Sequence, residues 1–346
     1  MAIIRLDDAQ ESKNLLEGGA LAIGNFDGVH RGHQALLNAA REWSKTREKA
    51  CGVLTFSPHP AQFLAKELAP KTLFNDDEKV AQLESFGVDV VVVQRFSSDF
   101  AAHSPQDFVT KVLGEQLKVG VVVVGEDFSF GKRGFGKVEL LRKLLHARGV
   151  ELLAIPPVRE GNLICSSTKV REYIRSGNMP AAACILGRPY SLQGQVVSGD
   201  QRGRTLGFPT ANIQCERELL PELGVYATFC ILDDGRHIPS VTNLGLRPTF
   251  NGAGVRIEAH LLASPAPETK SGEADGDARF DEDLYGQMVR LEFVARIRAE
   301  LRFSGKEELV AQVQRDVDKA QEILRDDAFL ENHDCSHQAV EQKQGA

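Results

Sequence analysis

Apolar residues in the first half of the chain fall into short, nearly continuous runs that alternate with helical patterns. ALAIG at 20–24 reads as a buried strand, and 33–48 as a helix with Leu36, Leu37, Ala40 and Trp43 at helical spacing. CGVLTF at 51–56, VDVVVVQ at 88–94, VGVVVVG at 119–125 and ELLAIPP at 151–157 extend the strand series. Asn75 with Glu78 has the form of a capping box for a helix at 76–86, which Gly87 stops. Ser104, Pro105 and Asp107 open another helix, and a further one is expected near 137–148. Strands without polar alternation need apolar cover on both faces, so this βαβα order predicts a parallel sheet between helix layers.

The pattern changes after about residue 185. LGRPYSLQGQVVS, GVYATFCILDD, RHIPSVTNLG, VRIEAHLLA and GQMVRLEFVARI read as strands between Gly and Pro turns, and no long helix is expected before 305–325. That spacing predicts an antiparallel barrel with one terminal helix. The expected division is one domain over 1–185, a second over 186–328 and a polar, disordered tail over 329–346. The stretch 263–283, rich in Pro, Gly and charge, reads as a flexible loop.

The length of 346 residues suits two domains, and 42% hydrophobic with 26% charged residues fits a soluble globular chain. No run of 18 apolar residues occurs, and the N-terminus lacks a basic start followed by an apolar stretch, so a cytoplasmic protein without a membrane span is expected. The net charge of -7, with no long basic run, argues against a nucleic-acid partner. The six cysteines form no CxxC pair, and free thiols are expected.

GNFDGVHRGH at 24–33 follows the first strand and opens the first helix. In an open parallel sheet, ligands bind where strands end and helices begin. Gly24 and Gly28 permit tight backbone geometry, and His30 and His33 would stand at a helix N-terminus, which attracts phosphate. Two imidazoles there can donate to phosphoryl oxygens as charge builds in a transition state. The alternative is a glycine-rich turn with two exposed histidines; for zinc, no third ligand follows at a typical spacing. SSTKVR at 166–171 begins a second helix, where Ser167 and Thr168 could bond a phosphate and Arg171 neutralise it, or simply cap the helix.

SGDQRGRTLGFPTANI at 198–213 supplies a loop with Gly199, Gly203 and Gly207, whose N–H groups could cradle phosphates, and Arg202 or Arg204 adds charge. It is not a Walker motif. Thr210 and Asn212 are two apart, so on an extended segment they share a side, and their oxygens suit Mg²⁺. A hairpin ending in a structural Asn turn is the competing reading.

GNFDGVHRGH, LTFSPHP, VVGEDFSFGKRGFG and SSTKVREYIRSG together resemble the FMN adenylyltransferase module of the prokaryotic bifunctional FAD synthetases. GRTLGFPTANI, with GVYAT, NLGLRPTF, RIEAHLL, DLYG and SGKEELVAQVQRDVDKA, looks like the riboflavin kinase signature. The resemblance spans about 15–325. It implies an N-terminal Rossmann-like α/β nucleotidyltransferase domain and a C-terminal riboflavin kinase-like β-barrel. It implies phosphorylation of riboflavin to FMN and adenylylation of FMN to FAD, with ATP as co-substrate and Mg²⁺ as cofactor. Riboflavin, FMN and ATP are the expected partners, with self-association admissible. In the first domain it puts Gly24, Phe26, Asp27, Gly28, His30, His33, Ser167, Thr168 and Arg171 on ATP, and Phe56, Pro58, His59, Pro60 and Asp127 on the FMN side. In the second, Gly203, Arg204, Thr210 and Asn212 take ATP, with Thr210 and Asn212 holding the metal. Glu258 is the implied general base, Arg298 and Phe303 are flavin contacts, and Asn243, Arg247 and Thr249 order the loops.

Two departures stand out. The connection 263–282 is about twenty residues long where the family's is very short, and Arg298-Ala299-Glu300 replaces the usual Arg-Pro-Glu. A nucleotidyltransferase for another phosphorylated alcohol would explain the first domain but not GFPTAN. A non-catalytic nucleotide binder would need the catalytic groups to be missing.

Overall fold

The structure, a computed structural model, describes residues 2–5, 16–199, 207–249, 252–262, 280 and 282–325. The Gly203–Arg204 loop, nearly all of 263–282 and the tail from 329 lie outside the described residues. The chain divides into two compact units, Met1–Ser167 and Thr168–Ala346.

In the first unit, six strands lie in the order β1-β4-β3-β2-β5-β6, every neighbouring pair parallel. They are β1 (Ala2–Arg5), β2 (Ala20–Ile23), β3 (Cys51–Ser57), β4 (Val90–Arg95), β5 (Val121–Gly125) and β6 (Glu151–Ile155). Burial follows the pleat: Val122 and Val124 join one apolar cluster with Leu21, Ile23 and Leu54, while Val121 and Val123 join the other with Ala20, Ala22 and Val53. Both faces are therefore covered, as uninterrupted valine runs require. Helix α1 (Arg31–Arg47) starts at the histidine motif. Helix α2 (Asp76–Ser85) carries the expected reciprocal Asn75–Glu78 capping box. Ser104 caps the next helix, as expected, and Phe108–Gln116 continues it as a π-helix. Helix α3 (Val138–His146) precedes β6. Strand β1, absent from the sequence reading, adds an edge beside β4.

The second unit is a closed six-stranded barrel, β7-β8-β11-β10-β9-β12, with every neighbouring pair antiparallel. Its strands are β7 (Tyr190–Val197), β8 (Ala211–Gln214), β9 (Gly224–Ile231), β10 (His237–Thr249), β11 (Gly252–Leu261) and β12 (Met288–Arg298). Helices α4 (Ser167–Arg175) and α5 (Met179–Leu186) precede it, and α6 (Lys306–Leu324) follows. The division at 167/168 groups α5 with the barrel, because this helix, with six of its eight residues buried, packs on β7 and β12. Val317 and Ala320 of α6 pack against Val225, Ala227 and Val241, so this helix covers one outer flank of the barrel. Among the described residues, Cys51, Cys165, Cys215 and Cys230 are free thiols.

Candidate active sites

In the α/β unit, successive strands run outward from β2 through β3 to β4, then the chain returns to β5 on the other side. The carboxyl ends of β2 and β5 thus flank a topological switch point, where open α/β sheets bind ligands. Gly24 and the histidine motif leave β2 at this point, and Asp127 lies two residues past β5. The loop is strained: Phe26, Gly28 and Val29 take φ of 49°, 84° and 39°. A β-branched residue there is a true outlier, and such strain persists only where surrounding contacts enforce it.

Those contacts are specific. The Asp27 carboxylate, 4% exposed, accepts from the Leu73 and Phe74 amides. Thr55 Oγ1 donates to the Asn25 carbonyl, Ser167 Oγ to the Asp27 carbonyl at 2.8 Å, and Gln34 Nε2 to the Val29 carbonyl. Phe26 is fully buried. Side chains thereby fix alternate carbonyls of the loop, and Asp27 and Ser167 hold its shape.

His30 caps α1, its Nδ1 accepting from the His33 amide at 3.3 Å. That bond puts the proton of the neutral ring on Nε2, a donor. The His30 and His33 rings stack with centroids 3.7 Å apart, and His33 also tilts against Phe26 at 5.1 Å. A Cβ at position 32 would lie 2.9 Å from the His30 ring, so Gly32 lets that ring sit close to the backbone.

Beside the loop, a cleft of about 200 Å³ is lined by Asn25, Asp27, Pro58, His59, Asp76 and Lys79 among others. His59 Nδ1 accepts from the Ala61 amide and caps a short helix that Pro60 begins. Phe56 is half-buried in a cluster of aromatic rings, edge-on to Phe96 and tilted against Phe100. The exposed Asp127 folds back on Gly125, where a Cβ would stand 2.7 Å from its Oδ1. The sequence-derived residues Gly24, Phe26, Asp27, Gly28, His30, His33 and Ser167 converge on one loop, and Pro58 and His59 share the adjoining cleft. Thr168, exposed, and Arg171, 5% exposed, belong to α4 in the second unit. Asn25, Ser57, Asp76 and Lys79 were not singled out from sequence.

In the barrel, the ladder aligns one row across four strands: Asn212 of β8 faces Glu258 of β11, which faces Asn243 of β10, which faces Val225 of β9. Directly opposed residues share a face, so the row lies on the face of the barrel wall where Val225, at one end of the row, packs against α6. Glu258 pairs with Arg256 two residues away at 3.3 Å, its side chain 21% exposed. The turn before β8 is pinned by His260, whose Nδ1 lies 2.7 Å from the Pro209 carbonyl and whose ring meets Phe208 edge-on.

A Cβ on Gly199 would fall 2.1 Å from Asn212 Nδ2, so the missing side chain leaves the space the carboxamide occupies. Thr210 and Asn212 are half-buried oxygen donors, which fits a hard divalent cation held jointly with phosphate. Among the described residues, no cluster of three His, Cys, Asp or Glu could hold a metal.

Across the same flank, the Arg298 guanidinium forks onto Asp316 of α6, with Nε at 2.9 Å and Nη2 at 2.7 Å from its oxygens. Asp316 is 3% exposed and also accepts from Gln312. Phe303 lies under the guanidinium, 5.9 Å from ring centre to Cζ. Arg298, expected on the flavin, thus ties β12 to α6. Arg247 and Thr249 fall on β10.

Fold and site define a two-module phosphate-transfer protein: a parallel sheet with a histidine-bearing strand-to-helix loop, then a closed barrel with a carboxylate beside oxygen donors. The FAD synthetase family model matches residues 12–169 and the riboflavin kinase model 186–324. The chain is 38% identical to the bifunctional riboflavin kinase/FMN adenylyltransferase of Escherichia coli K12, covering 89% of this chain and 93% of the relative. It is 33% identical to the protein of that name from Bacillus subtilis 168, over 87% and 90%. A solved structure of a macrolide-efflux protein from Streptococcus pneumoniae shares the fold with a TM-score of 0.80 at 27% identity, over 93% of this chain and 99% of that one. Among the described residues, no helix is long and apolar enough to cross a membrane. The chain belongs to the bifunctional riboflavin kinase/FMN adenylyltransferase family.

Proposed function

We propose that the barrel phosphorylates riboflavin with ATP and that the α/β unit then transfers AMP from a second ATP to the product, releasing pyrophosphate and forming FAD. In the first reaction Glu258 takes the proton from the ribityl 5′-hydroxyl. The freed oxygen bonds to the γ-phosphorus as the bond to the β-phosphate oxygen breaks, and ADP leaves. Thr210 and Asn212 hold the triphosphate together with a divalent ion, which we take as Mg²⁺. That ion, when bound, neutralises phosphate charge. Gly203 and Arg204 bind the same phosphates. Arg298 at the end of β12 and Phe303 beyond it form a wall of the flavin pocket, with Arg298 fixed by Asp316.

In the second reaction an FMN phosphate oxygen attacks the α-phosphorus of ATP, and no protein nucleophile is needed. Catalysis comes from positioning and charge stabilisation. His30 and His33 donate to the triphosphate, while Asp27 and Ser167 keep the loop in its strained shape. Thr168 and Arg171 extend the phosphate grip. Phe56, Pro58, His59, Pro60 and Asp127 receive FMN. The reading places the enzyme in the cytoplasm.

The observation that supports the proposal is the Asn212–Glu258–Asn243 row, a carboxylate between two carboxamides in a unit other than the one that bears the histidine loop. A nucleotidyltransferase for another alcohol leaves that row unused. Incubation with riboflavin and Mg·ATP, followed by chromatography, should show FMN and then FAD. If the folded protein yields neither, the proposal fails.

A further inference from the structure

Lys79 sits on α2 beside Val80, which packs in the sheet core with Leu83, and is itself only 8% exposed. Its ammonium donates to the Phe56 carbonyl at 3.1 Å and pairs with Asp76 Oδ1 at 3.1 Å. The other Asp76 oxygen accepts from the Ser57 hydroxyl. One cation and one carboxylate therefore grip the last two residues of β3, immediately before Pro58 and His59. Ser57, Pro58, His59, Asp76 and Lys79 all line the same cleft.

Burying an ammonium costs desolvation, and an apolar side chain of similar length often serves stability as well or better. Fold stability thus gives no reason for a charge at this point of the helix–sheet contact, whereas the turn it grips does. We infer that Lys79 is a positioning residue for FMN: through the Phe56 carbonyl and Asp76 it fixes where the Ser57–Pro60 turn presents its edge to the flavin phosphate. The inference rests on the reading that this cleft receives FMN.

The test measures steady-state FMN adenylylation by the wild type, K79R, K79M and S57A, with riboflavin phosphorylation measured on the same preparations. Removing one charge-assisted hydrogen bond corresponds to about a tenfold loss, so K79M should raise the KM for FMN about tenfold while kcat falls far less. K79R should restore most of that KM, and S57A should move it the same way by less. Riboflavin phosphorylation should be unchanged throughout. An unmoved KM for FMN in K79M, or a fall in kcat alone as a smaller folded fraction would give, overturns the inference. If K79M does not fold, S57A decides, and an unmoved KM there overturns it. A wild type that fails to adenylylate FMN would instead sink the underlying reading, independently of the variants.

Discussion

Replacing Glu258 with glutamine separates the base from everything else at its position. The amide keeps the size of the side chain and its place between Asn212 and Asn243. What it gives up in the free protein is the pair with Arg256 at 3.3 Å, with side chains 21% and 32% exposed. A partly exposed pair of this kind contributes less than about 1 kcal/mol, so the barrel stays folded. If Glu258 is the proposed base, what it gives up in the reaction is proton abstraction, whose removal costs on the order of 10²–10⁴ in rate. A thousandfold loss corresponds to about 4 kcal/mol of barrier, several times the stability change, so unfolding cannot imitate it. The assay follows FMN formed from riboflavin and, separately, FAD formed from supplied FMN. The first should collapse while the second stays within about twofold, because the two sites stand on different units. Less than a tenfold fall in riboflavin phosphorylation, or an equal fall in both activities of a folded protein, refutes the assignment.

The reciprocal change, His33→Ala, should cut FAD formation by on the order of 10²–10³, the usual cost of one transition-state donor, and leave riboflavin phosphorylation intact by the same chromatographic assay. Arg298→Ala leaves the buried Asp316 carboxylate with only Gln312. With the guanidinium partly exposed, a loss of about 2–3 kcal/mol is expected, read as a lower midpoint in denaturant unfolding. Burial pushes the Cys51 and Cys165 thiols up to about 11 and Cys230 to about 12, since it disfavours the thiolate. Alkylation of the native protein near pH 8, mapped by mass spectrometry, should therefore mark the half-buried Cys215 and spare those three.

The sheet was legible because strands buried on both faces read as unbroken valine runs, and the Asn75–Glu78 box fixed the start of α2 to the residue. Strand β1 escaped notice because four residues with no flanking signal carry too little pattern. Helix α5 was not singled out because MPAAACIL has no polar face to mark a helical period; it is buried almost all round. The histidine loop was visible through local spacing. The placing of Glu258 beside Asn212 was not, since the two lie on strands that meet only through barrel pairing, and only the resemblance pointed to it. Lys79 escaped because, in DDEKVAQLES, a lysine three residues after an aspartate looks like a solvated surface pair. Its burial is set by how α2 lies on the sheet, which no local pattern states.

Closure of the barrel imposes an order on synthesis. Tyr190 pairs with Phe293, so the first and last strands of the ring lie about a hundred residues apart and cannot zip until the later one has left the ribosome. The α/β sheet needs nothing beyond Ile155. The nascent chain can thus hold a finished parallel sheet with its histidine loop while its vitamin-phosphorylating half is still an open ribbon, and those exposed strands are the stretch most in need of a chaperone.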